Sequence, residues 1–157
     1  MKKMDVVGVR VELPSKQPVV LLQEEDGTRF LPIWIGTVEA AAIAYHHNDT
    51  PLPRPLTHDL LNTVIEELGS TLTRVEIIEL KDAVFYAELV IDEEVRIPSR
   101  SSDAIALALR ADVPILCEED ILTEAGISLP DSQEEEVEQF RQFLEDVTPE
   151  DFERGQA

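Results

Sequence analysis

Three short polar segments of this chain carry side chains whose types and spacing could do chemistry. The first holds Glu39, His46 and His47. Glu39 and His46 are seven residues apart and share one face of a helix, where they could hold a divalent metal or relay a proton. The same pattern also describes a solvent-facing glutamate and two histidines at a fraying helix end. The second segment is Arg54-Pro55-Leu56-Thr57-His58-Asp59, a proline-stiffened loop that enters a helix. There Arg54 could clamp a phosphate, His58 could act as acid or base, and Asp59 could bind a metal. Its structural alternative is an acidic residue that complements the helix dipole and pairs with Arg54. The third segment, Arg100-Ser101-Ser102-Asp103, repeats this chemistry at another helix start, with Ser101 or Ser102 available as a cap.

Composition narrows what these groups can be part of. The chain has 157 residues, the size of one domain, and 43% of them are apolar, enough for a hydrophobic core. No run approaches the roughly 18 apolar residues of a membrane helix, and the N-terminus alternates instead of forming a signal-peptide stretch, so a cytoplasmic location and no membrane partner are expected. Cys117 is the single cysteine, which excludes an intramolecular disulfide and a thiolate zinc cluster. It lies in the apolar run Pro114-Ile115-Leu116-Cys117, and a buried inert thiol is expected there. The net charge of −20 opposes non-specific attraction to a polyanion. Residues 118–157 hold 14 acidic and 2 basic side chains, so the C-terminal part is the most acidic. No dinucleotide fingerprint, phosphate-binding loop, zincin helix or hydrolase nucleophile elbow occurs.

The elements that must position the polar segments are legible from periodicity. Val7, Val9, Val11 and Leu13 alternate as in a half-buried strand, and Val19–Leu22 and Phe30–Ile35 flank the turn Glu25-Asp26-Gly27 as a hairpin. The alanine-rich run from about Thr37 to His47 predicts a first helix, and three prolines between positions 51 and 55 make the next stretch a stiff loop. Thr57 is the expected N-cap of a second helix with Leu60, Leu61, Val64, Ile65 and Leu68 at helical spacing and Gly69 at its end. Residues 71–80 and 83–92, followed by Glu94 to Pro98, predict an antiparallel meander. A third helix at 103–110, apolar on nearly every face, should be deeply buried, with Ile105, Leu107 and Leu109 in the core. Ile115 to Cys117 predicts a short strand and Glu119 to Ala125 a short helix. From Ser132, Val137, Phe140 and Leu144 form one stripe of an amphipathic tail helix. The expected fold is α+β, a mixed, largely antiparallel sheet with interspersed helices, with a domain at 1–130 and an acidic helical tail at 131–157.

The polar segments also carry a resemblance. Leu31-Pro32-Ile33-Trp34-Ile35-Gly36 followed by Glu39-Ala40, then Arg54 through Leu61, then Arg100 through Arg110 stand in the order and spacing of successive blocks of one domain. On these residues the chain resembles the bifunctional nuclease family over about residues 5 to 125. The resemblance implies a family first tied to combined RNase and DNase activity, many of whose bacterial members are named by similarity alone. It carries over to Glu39, Arg54, His58, Asp59, Arg100 and Asp103. Familiar members often read Arg-Pro-Ser-Asp in the third block, where this chain reads Arg100-Ser101-Ser102-Asp103.

The leading expectation is a phosphodiesterase acting on single-stranded or loosely structured RNA or DNA. In it a Mg²⁺ or Mn²⁺ ion is held by Glu39, Asp59 or Asp103, His58 moves a proton, and Arg54 and Arg100 steady the anion. Glu39, His58, Asp59 and Asp103 make up the catalytic set. The alternative is a non-catalytic oligomeric or regulatory module, in which the same clusters are caps and interface ion pairs and the acidic tail docks on a second chain or a basic partner. A homo-oligomer, specifically a dimer, is expected as a partner state. The two readings part on whether the six side chains converge on one cleft.

Overall fold

The alternating N-terminal residues form β1 (Lys2–Glu12), which pairs antiparallel with β2 (Gln17–Glu24), and β2 pairs in turn with β3 (Arg29–Trp34). The structure, a computed structural model, describes residues 1–128, so the expected tail helix from Ser132 lies outside the described residues. The register of β1 steps from Val6 opposite Leu22 to Gly8 opposite Leu21, which leaves Val7 as an extra residue. This bulge reverses the parity of the strand. Met4 therefore enters the core from an even position and Val9 from an odd one. Leu13, expected on the inner stripe, is 79% exposed because the strand stops at Glu12 and the chain turns away.

A first helix, α1 (Thr37–His47), follows β3, and α2 (Thr57–Glu67) follows the proline loop. A second meander comes next, β4 (Leu72–Lys81), β5 (Val84–Ile91) and β6 (Val95–Arg100). The β4–β5 loop is Asp82-Ala83, both with positive φ, as a two-residue hairpin turn requires. The chain ends its described part with α3 (Ser101–Ala111), β7 (Ile115–Cys117), α4 (Glu119–Ala125) and β8 (Ile127–Ser128). The three-residue β7 joins the two meanders: it pairs parallel with β4 and antiparallel with β1. Among the described residues the result is one eight-stranded, mostly antiparallel sheet in the order β6-β5-β4-β7-β1-β2-β3-β8, an α+β architecture. Cys117 lies buried in this seam, where burial pushes its thiol up to about 12 and keeps it from acting as a nucleophile. Among the described residues no helix is long and apolar enough to cross a membrane.

α1 and α3 lie side by side because both are lined with small residues. Ala40, Ala41, Ala42 and Ala44 on one helix and Ala104, Ala106 and Ala108 on the other are all buried. Ile105 and Leu107 are the large side chains of α3 driven fully inside, while Leu109 is only partly buried against the same core. Replacing Leu107 by Ala is expected to lower stability by about 3 kcal/mol in a denaturant titration, the middle of the range for a buried leucine; an unchanged midpoint would contradict its placement. α2 behaves differently. It packs against α3, yet of its apolar stripe only Ile65 is buried, and Leu60, Leu61, Val64 and Leu68 remain in solvent. Most of the apolar residues at helical spacing in α2 therefore form an outer face.

A candidate active site on the three-helix face

The site begins where β6 runs into α3 without an intervening loop. Arg100 is the N-cap of α3 and makes no side-chain cap bond, while Ser101 and Ser102 lie inside the first turn and are buried. The expected serine cap is thus absent, because the strand's last residue already occupies the cap position. The geometry instead aims Arg100 along the helix face. Its Nε donates to Asp103 Oδ2 at 2.7 Å, and its Nη2 stands 2.8 Å from Glu39 Oε1 on α1. The carboxylate of Glu39 also folds back over Gly36, so a Cβ there would have to push that carboxylate aside. The other oxygen of Asp103, Oδ1, lies 2.9 Å from His58 Nε2 in the first turn of α2. Glu39, Arg100, Asp103 and His58 therefore form one connected chain across α1, α3 and α2, with acid and base alternating.

Asp103 is the centre of that chain. Burial raises its pKa, but the hydrogen bonds from Arg100 and His58 outweigh burial and hold it below the ordinary aspartate value, so it is ionised at neutral pH. His58 is nearly enclosed, with 12% of its side chain exposed, whereas Arg100 is 68% exposed and reaches its two carboxylates from the solvent side.

Asp59, one residue beyond His58, points elsewhere. Its Oδ2 accepts the Leu56 N–H at 2.8 Å, which closes the start of α2, and its Oδ1 accepts Arg110 Nε at 2.8 Å. The N-cap of α2 is Leu56, so Thr57 is the first helical residue and does not cap. The partner expected for Asp59 was Arg54. Arg110 takes that place because α3 packs on α2 and brings in a side chain 51 residues away. Arg110 is 5% exposed and also donates to the carbonyls of Ala106 and Ala42, so one guanidinium ties all three helices. Arg110 was not singled out by sequence reasoning. Its signal was an arginine in the last turn of an otherwise apolar, buried helix, where a charge must find partners.

Beside Asp59 and Arg110 opens a cleft of about 360 Å³, lined also by Tyr45, His46, Pro53 and Arg54. Arg54 is exposed and makes no ion pair with a described residue, so its guanidinium is open to an anion. His46 belongs to this cleft, at the other end of α1 from Glu39, and the two do not meet. The six expected side chains thus fall into two groups and do not converge on one cleft: Glu39, His58, Arg100 and Asp103 form the chain, and only Arg54 and Asp59 line the cleft.

Glu39, Asp59 and Asp103 each face an arginine rather than one another. Among the described residues no three His, Cys, Asp or Glu side chains stand close enough to hold a metal ion. Both oxygens of Asp59 and both of Asp103 are already engaged. In this arrangement the donor set does not fit a shared divalent ion, since a metal at Asp103 would displace Arg100 or His58.

The bifunctional nuclease domain matches residues 20–130. An uncharacterized protein of Mycobacterium tuberculosis, found in two strains, is 47% identical over 161 residues, covering 97% of this chain and 98% of that protein. The protein named Bifunctional nuclease 2 of Oryza sativa subsp. japonica is 25% identical over 127 residues, covering 76% of this chain and 39% of its own length.

Proposed function

Since this chain belongs to the bifunctional nuclease domain family, we propose that it hydrolyses phosphodiester bonds of RNA or DNA on the face shared by α1, α2 and α3. The observation that carries this reading is His58 held at 2.9 Å by an ionised Asp103, one residue before the wall of a cleft that presents Arg54. The name of the rice relative supports it.

A neutral His58 ring that donates its Nε2–H to Asp103 keeps Nδ1 as the basic nitrogen. Nδ1 takes the proton of an attacking water, the water oxygen bonds to phosphorus, and the proton then passes to the departing sugar oxygen. Asp103 stabilises the imidazolium formed between these steps, and Arg100 and Glu39 hold Asp103 in place. Arg54 balances the charge that grows on the phosphoryl oxygens. A local cation is needed because the chain as a whole carries −20 and repels a polyanion.

No step here uses a metal, because the carboxylates are already neutralised by arginines. Purified protein is therefore expected to cut labelled single-stranded oligonucleotides in EDTA at a rate within about twofold of that in Mg²⁺ or Mn²⁺. A metal-dependent reaction would lose orders of magnitude, because a bound ion contributes several kcal/mol to the transition state. Such a loss would mean that Arg100 gives way to an ion, and the proton-transfer scheme would have to be redrawn around it.

A further inference from the structure

α2 carries an apolar face that the described chain leaves open. Leu60 is 56% exposed, Leu61 42%, Val64 43% and Leu68 79%. At about 100° per residue, Leu60, Val64 and Leu68 follow one another along the helix and Leu61 flanks them, with no charged residue inside the stripe. The other side of the helix is committed, since His58, Asp59 and Ile65 face α3 or the core. A contiguous apolar patch of this kind on a water-facing helix marks an interaction surface.

We propose that this face binds the same face of a second copy of the chain, with the two α2 helices antiparallel about a two-fold axis through Val64. A two-fold contact demands a patch complementary to itself. The stripe meets that demand, because leucines stand four residues before and four residues after Val64. In the antiparallel pair each Leu60 meets the other copy's Leu68, and the smaller valines meet at the axis, where the helices approach most closely. From the stated exposures the four side chains offer roughly 400 Å² of apolar surface per copy. A standard interface buries about 800 Å² per partner, just over half of it apolar, so the stripe supplies most of the apolar part.

Charge selects the occupant. With a net charge of −20, most faces of two copies repel, but this stripe is uncharged. The last turn of α2 carries Glu66 and Glu67 and no basic residue, an unfavourable match to its own helix dipole. In the antiparallel register Glu66 and Glu67 stand opposite the other copy's Asn62 and Leu61, so the pairing sets no two carboxylates face to face. The chain's own acidic segment 131–157 would instead bring further carboxylates against Glu66 and Glu67.

The test uses the full-length protein in sedimentation velocity and oxidative cross-linking. Wild type is expected to sediment as a dimer at micromolar concentration. Val64→Glu, which sets two carboxylates face to face at the axis, should weaken association at least about a hundredfold and leave the circular dichroism spectrum unchanged, because Val64 lies outside the core. Val64→Cys should form a disulfide-linked dimer on mild oxidation, with Cys117 silent because it is buried. A dimer that survives Val64→Glu would overturn the proposal. So would a monomeric wild type, including one in which the Val64→Cys thiol is shielded from a maleimide, since that shielding would come from within the same chain.

Discussion

Cleavage by the His58→Ala protein is expected to fall at least about a hundredfold, the lower end for a lost acid–base group, with its melting temperature close to that of wild type. The fold should tolerate the change because Asp103 keeps its second oxygen on Arg100 at 2.7 Å, so the deletion leaves no bare buried charge. The assay is release of labelled product from a single-stranded oligonucleotide, run beside the thermal melt of the same sample. Asp59→Asn separates the two roles that adjoining residues play. Asp59 closes the first turn of α2 and receives Arg110, so its replacement should appear first as lost stability and only secondarily as lost rate. Wild-type cleavage by His58→Ala would remove the proton-transfer role from this site and leave the activity to another site or to a contaminant.

The largest stability effect outside the apolar core is expected at Arg110. Its side chain is 5% exposed and makes three hydrogen bonds, to Asp59 on α2, to Ala106 on α3 and to Ala42 on α1. Arg110→Met keeps much of the aliphatic bulk but leaves a carboxylate and two carbonyls without their donor. The expected loss is about 2–3 kcal/mol in a denaturant titration, below the cost of breaking a fully buried pair because Asp59 is 36% exposed and keeps the Leu56 N–H. Arg110→Lys should recover only part of it, since one ammonium cannot reproduce a planar fork aimed at three acceptors. A loss below about 1 kcal/mol, the value of an exposed ion pair, would show that the three helices hold together without this guanidinium.

What the sequence determined by itself was local. The bounds of α1 at Thr37–His47, the hairpin around Glu25-Asp26-Gly27, the meander and the buried α3 follow from periodicity, turn residues and alanine content, which act over a few residues of chain. The polar segments were legible too, yet of their six side chains only Arg54 and Asp59 line the cleft, while Glu39, His58, Arg100 and Asp103 join in a separate chain of ion pairs. Who partners whom was decided only in three dimensions. Asp59 pairs with Arg110 instead of the nearby Arg54 because α3 packs against α2, and no local pattern encodes that contact. The expected serine cap of α3 gave way because β6 enters the helix directly at Arg100. Leu60, Val64 and Leu68 have the spacing of a core stripe, yet α2 presents His58, Asp59 and Ile65 to its neighbours and leaves that stripe outside. Helical spacing specifies which residues share a face; which face is buried depends on what the rest of the chain brings beside it.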